Sequence, residues 1–156
     1  EIWTPDFLRK NRHYLDIAKV KPDVFNHNLE TVPRIYKQIR PGSNYIESLK
    51  LLSEVKEFDR SIFTKSGIMV GLGEDYFEII EVLKDMKNSN IDFVTIGQYL
   101  QPSIHHEKVH KFYSPDEFKS LYNVCLKLGF KMISSSPMTR SSYHADEDFE
   151  KLKKVV

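Results

Sequence analysis

The sequence predicts an α/β fold built on parallel strands, and three observations carry that expectation. Short β-like runs alternate with helical patterns, polar and glycine-bearing stretches fall where strands would end, and one helix is spelled out from cap to cap. Strand followed by helix followed by strand implies parallel neighbours joined by right-handed crossovers. The β-like runs cover residues 1–4, 23–26, 63–70, 93–97 and 130–134, and the helical patterns cover 13–20, 31–39, 45–57, 75–88 and 115–128.

The last helix is the clearest. Ser114 is placed to cap it, Pro115 suits its first turn, and Glu117 completes a capping box three residues on. Phe118, Leu121, Tyr122, Cys125 and Leu126 recur at helical spacing and predict one apolar stripe, which Gly129 ends as a C-terminal cap. Cys125 lies on that stripe and reads as a small core residue, not a nucleophile or metal ligand.

A chain of 156 residues with 40% hydrophobic content is long enough for one domain with its own core. Lys plus Arg number 23 against 22 Asp plus Glu, so no charge excess argues for nucleic acid or an anionic membrane as partner. No apolar run approaches the roughly 20 residues of a spanning helix. A single cysteine excludes an internal disulfide and favours a reducing compartment. The opening "EIWTPDF" reads as a strand and its exit turn, so the chain is expected to be a piece of a longer polypeptide.

In parallel α/β folds, chemistry gathers beyond the carboxyl ends of the strands. "PDF", "NHNLET", "GLGE" and "GQYLQP" fall there in turn. In "FNHNLET", Asn26, His27, Asn28 and Glu30 suit hydrogen bonding to ribose hydroxyls or an amino group; alternatively Asn28 or Glu30 caps the helix starting near Thr31. In "GIMVGLGED", Gly67, Gly71 and Gly73 precede a helix whose amino end would offer free N–H groups to a ligand. A plain tight turn explains the same glycines equally well.

Lys65 interrupts an apolar strand, so it should point at a cavity or an anionic partner unless the strand is a solvated edge. Arg40 reads as a helix-end charge. His106, Glu107 and His110 spell the zinc-peptidase motif H-E-x-x-H, but they lie in a proline-bracketed stretch without helical periodicity, and a chance match is the better reading. Near the end, Arg140, Ser141, Ser142 and Tyr143 form a polar cluster, with helix capping as the default role of the serines.

Taken together, "PDVFNHNLETVPRIYKQIRP", "TKSGIMVGLGE", "TIGQYLQP" and "PMTRSSYHA" closely resemble lipoyl synthase, a radical S-adenosylmethionine family, over essentially the whole chain. The resemblance implies the later half of a partial, TIM-like (βα)6 barrel over residues 1–136, followed by a cluster-ligand tail over 137–156. It implies an enzyme that inserts two sulfur atoms, at C6 and C8, into an octanoyl chain carried on a lysine. Two 4Fe–4S clusters would serve it: one cleaves S-adenosylmethionine reductively, and the other is the sulfur source.

Carried onto this sequence, the resemblance assigns Asn28, Glu30, Lys65, Gly67, Gly71 and Glu74 to the cofactor. It assigns Gln98, Tyr99 and Arg140 to the substrate side, and Ser142, with Ser141 kept open, to the auxiliary cluster. An oxygen ligand is a poor match to cluster iron and is readily displaced; Arg140 would favour its alkoxide form. The six cluster cysteines, in C-x4-C-x5-C and C-x3-C-x2-C arrangements, are expected upstream of Glu1, so this chain by itself is expected to be inactive. It should also expose a sheet edge where the missing strands dock. The implied partners are an octanoylated lipoyl-accepting domain or glycine cleavage H-type protein, and a ferredoxin or flavodoxin as electron donor. The cytoplasm is the expected compartment, or a mitochondrial or plastid matrix in a eukaryote. A catalytically dead acyl-carrier-binding module on the same fold is the competing reading.

Overall fold

A computed structural model describes residues 1–7 and 12–140. In chain order the elements are β1 (Ile2–Trp3), α1 (His13–Ala18), β2 (Val24–Asn26), a 3-10 turn (Pro33–Ile35) running into α2 (Tyr36–Ile39), α3 (Tyr45–Phe58) and β3 (Phe63–Val70). There follow α4 (Tyr76–Asn88), β4 (Phe93–Gln98), α5 (Pro115–Leu128) and β5 (Met132–Ser135). All five strands are parallel and lie in the order β1-β2-β3-β4-β5, as the alternation predicts. Strands that are neighbours both in sequence and in space, linked by crossovers of one hand, put their helices on one face of the sheet. The opposite face is left to form a site.

Side-chain alternation sorts β3 and β4 between these faces. Ile68, Val70, Val94 and Ile96 pack in the core with Leu52 and Val55 of α3, Ile79 and Leu83 of α4 and Phe118 of α5. Burying each such side chain contributes about 1.5–3 kcal/mol. The other face carries Lys65 beside Phe93, Gly67 beside Thr95 and Met69 beside Gly97.

Local chemistry explains the element ends. Ser114 and Glu117 form the predicted capping box, and Gly129 takes the left-handed conformation at φ 79°. Asp75 and Glu78 form a second box that starts α4. The single helix expected over 31–39 is broken into two short pieces, because Pro33 holds Val32 extended and removes a donor from the first turn. On α5, Phe118, Leu121 and Cys125 are buried as expected, whereas Tyr122 and Leu126 are exposed. That helix packs on β5 at the end of the described sheet with α4 on one side, so its buried face is narrower than its apolar stripe. Lys65 is not on a solvated edge: it sits in the middle strand and is 1% exposed. No helix among the described residues is long and apolar enough to cross a membrane.

Candidate functional site

The exit of β2 runs against β3 and shapes the first wall of the site. Glu30 adopts φ 70° and bridges to Ile68: its N–H donates to the Gly67 carbonyl at 2.9 Å, and its own carbonyl accepts from Met69 N at 2.8 Å. A left-handed glutamate costs on the order of 1 kcal/mol, which these two backbone bonds offset. Neither Asn28 nor Glu30 caps a helix; Val32 occupies the cap position, without a side-chain cap bond. Burial pushes the Glu30 carboxyl above its ordinary range, against the opposing pull of the Asn28 hydrogen bond and the Arg40 charge.

Behind this wall lies a polar network that sequence reasoning missed. Asp6, of the "PDF" turn after β1, accepts from Arg40 Nη2 at 2.7 Å and from the Ser43 hydroxyl at 2.5 Å. His27 Nε2 stands 3.3 Å from its other oxygen. Arg40 Nη1 donates to the Asn28 carbonyl at 2.7 Å and to the Tyr36 hydroxyl at 3.1 Å. Arg40 is therefore not a mere helix-end charge. It is a clamp that sets the Asn28 backbone, and Asp6 holds the clamp. His27 is 2% exposed, and burial depresses its pKa more than the contacts with Thr4 and Asp6 raise it.

The turns after β3 and β4 are organised differently. Gly71 N and Leu72 N donate to the two oxygens of Glu74, at 2.7 and 2.8 Å. Asp75 and Glu78 satisfy the amino end of α4. The free N–H groups expected here for a ligand are already bound by the chain's own carboxylates. Gln98 donates to the carbonyls of Tyr99 and Lys111, each at 3.0 Å, and accepts from Tyr113 N at 2.9 Å. The Tyr99 hydroxyl donates to the Glu107 carbonyl at 2.6 Å. The side chains of Gln98 and Tyr99, expected near substrate, pin the loop between β4 and α5.

A cavity of about 420 Å3 opens on the face opposite the helices, toward the carboxyl ends of the strands. It brings together Asn28, Glu30, Gly67, Gly97, Thr139 and Arg140, with Trp3 and Leu100 among the other lining residues. Of the predicted cofactor residues, Asn28, Glu30 and Gly67 meet there, joined by Arg140 and by Gln98. Gly71 and Glu74 do not line it. Lys65 lies on the same face, two residues toward the amino end of β3 from Gly67, and its Nζ is 3.0 Å from a Glu1 oxygen that supplies the anionic partner its burial demands. Asn26 Nδ2 also donates to Glu1, at 2.9 Å. Ser141 and Ser142 lie outside the described residues.

Gly97 belongs to the site although sequence reasoning passed over it. A Cβ there would stand 2.4 Å from the Thr139 carbonyl oxygen, so only glycine lets residues 137–140 lie across β4. The signal was present as a glycine inside a strand pattern, which marks a close backbone approach.

The described residues include no group of three or more His, Cys, Asp or Glu that could hold a metal ion. The H-E-x-x-H stretch is loop and not helix: His106 Nδ1 lies 2.9 Å from the Ser103 hydroxyl, and His110 Nε2 lies 3.0 Å from Glu107. Burial pushes the Cys125 thiol up to about 12, an inert core cysteine as its position on α5 predicts.

No family model matches this chain. Among solved structures it is similar to SuiB of Streptococcus suis, with a TM-score of 0.57 and 13% sequence identity. The match covers 78% of this chain and 28% of SuiB, so the chain spans little more than a quarter of that protein. At this identity the likeness is one of fold: a parallel sheet with helices, compatible with part of a barrel.

Proposed function

We propose that this chain is the carboxyl-side part of an enzyme of the lipoyl synthase kind, and that its cavity receives S-adenosylmethionine. With five parallel strands it would supply more than half of a six-stranded (βα) barrel. The observation that carries the reading is the meeting of Asn28, Glu30, Gly67 and Arg140, drawn from three separate motifs, in one cavity toward the carboxyl ends of the strands.

The residues fit a polar, hydroxyl- and ammonium-bearing ligand. Asn28 and Glu30 offer an amide and a carboxylate, and Gly67 and Gly97 leave two positions of that face without side chains. Bound there, S-adenosylmethionine would supply the radical that abstracts hydrogen from the octanoyl chain. The chain's own contribution is positional. The Asp6–Arg40 clamp holds the Asn28 backbone, the Glu30 backbone is locked to β3, and Arg140 brings a fixed positive charge to the cavity wall. The described residues do not fit an iron–sulfur cluster, since their one thiol is buried on α5. No step through a cluster is assigned to them.

The test is to express the polypeptide with its encoded upstream sequence, reconstitute iron and sulfide, and supply an octanoylated H-type protein with a flavodoxin reductant. Mass spectrometry should find the acceptor two sulfur atoms heavier, and Glu30→Ala should abolish the gain. An extended protein that cleaves no S-adenosylmethionine yet binds the acylated acceptor would make the chain a binding module and end the enzymatic reading.

A further inference from the structure

We propose that Ser134, Ser136 and Thr139 form a hydroxyl clasp that fixes residues 136–140 across Gly97 and so presents Arg140 at the cavity. Thr139 is then a positioning residue for the arginine. The role of Arg140 rests on the function proposed above; the clasp itself does not.

Thr139 is 5% exposed although it lies in the turn beyond the last described strand. Its Oγ1 stands 3.0 Å from the Ser134 hydroxyl and 2.9 Å from the Ser136 hydroxyl, and its backbone N–H donates to the Ser136 carbonyl at 3.1 Å. A hydroxyl has one donor and two acceptor sites, so Thr139 can accept from one serine and donate to the other. That satisfies a side chain which burial would otherwise leave costly. The Ser136 N–H in turn donates to the Ile96 carbonyl at 3.3 Å, tying the turn to β4.

The arginine is coupled to this clasp through one carbonyl. Arg140 Nη1 donates to the Thr139 carbonyl at 2.7 Å, and that same oxygen occupies the space a Cβ at Gly97 would need. A Cβ at Gly97 would also come within 3.3 Å of Arg140 Nη1, so the guanidinium itself lies over the strand. The placement therefore passes from hydroxyls to threonine, from threonine to its carbonyl, and from the carbonyl to the charge. The turn "SSSP" contributes two of the three hydroxyls.

The test compares Thr139→Val, which keeps shape without the hydroxyl, with Thr139→Ser, in the protein carrying its encoded upstream sequence. Hydrogen exchange of the 134–140 peptide should quicken about fivefold in Thr139→Val, the equivalent of one net hydrogen bond, and return to the wild-type rate in Thr139→Ser. With 15N-arginine labelling, the Arg140 Nε–H resonance, assigned by its loss in Arg140→Ala, should move to the position of solvent-exposed arginines in Thr139→Val and back in Thr139→Ser. Unchanged exchange in Thr139→Val would overturn the clasp. Faster exchange with an unmoved arginine resonance would overturn the positioning role. Neither readout needs turnover, so absence of lipoyl product from the wild type would refute the proposed activity without touching this result. Where turnover is present, the losses from Thr139→Val and Arg140→Ala should not multiply, and multiplying losses would also overturn the positioning role.

Discussion

The turns after β2 and β3 carry similar credentials in the sequence: each ends a strand with a carboxylate and small or amide residues, and each suits a ligand. They end up with different work. After β2, the Glu30 backbone is tied to β3 and Glu30 lines the cavity together with Asn28, whose side chain hydrogen-bonds the Glu30 carboxylate. After β3, both oxygens of Glu74 are bound by the backbone of its own turn, and the carboxylate closes the turn instead of opening it to a ligand. A carboxylate whose two oxygens are both bound by its own turn has less accepting capacity left for a ligand.

The largest expected effect comes from forcing a side chain into the β3 turn. Gly71 has φ +106°, and a Cβ would meet Gln98 Nε2 and the Lys111 carbonyl, each at 2.4 Å. Gly71→Ala should cost about 3 kcal/mol or more of unfolding free energy in urea, through backbone strain and displacement of the pinned loop. A loss below about 1 kcal/mol would mean that the turn is looser than described. Next, Glu74→Ala strands two buried amides and should cost about 2 kcal/mol by the same measurement, while S-adenosylmethionine affinity changes little.

The third test reverses that pattern at the other turn. Glu30→Gln should weaken S-adenosylmethionine binding about tenfold in titration calorimetry on the extended protein, with an unfolding midpoint no lower than the wild type. If Glu30 and Glu74 variants lost affinity equally, the contrast between the turns would dissolve. The smallest effect is in pH dependence. Because the folded-state pKa of Glu30 is raised, its favourable contribution is complete below the unfolded carboxylate range and fades as pH rises through the folded value. Glu30→Gln should therefore be more stable than the wild type at pH 7, with the gap closing toward about pH 4 in paired denaturation curves.

Local signals were legible wherever they act within one turn of chain. The Ser114–Glu117 box, the Gly129 cap and the buried Cys125 followed from spacing within α5, and each strand was found to within about two residues at either end. The Asp75–Glu78 box was readable by the same D-x-x-E rule and went unread. The Asp6–Arg40 clamp was not legible, because it joins residues 34 apart whose meeting depends on β1 lying beside β2. The resemblance put Gln98 on the substrate side, and Gln98 does line the cavity; that its side chain also bonds partners up to 15 residues away in the following loop was not legible.

The order of apolar and polar residues by itself determined that strands and helices alternate, where α5 begins and ends, and that the polar residues collect at the carboxyl ends of parallel strands. Only the tertiary structure decided which of those polar groups remain available to a ligand. Each carboxylate or amide has few hydrogen-bonding positions, and whether they are taken up by backbone or face a cavity depends on how distant segments close around them. Glu74 is held by such closure, whereas Asn28, Glu30 and Arg140 are brought by it to one cavity, which Gln98 also lines while bonded to the following loop.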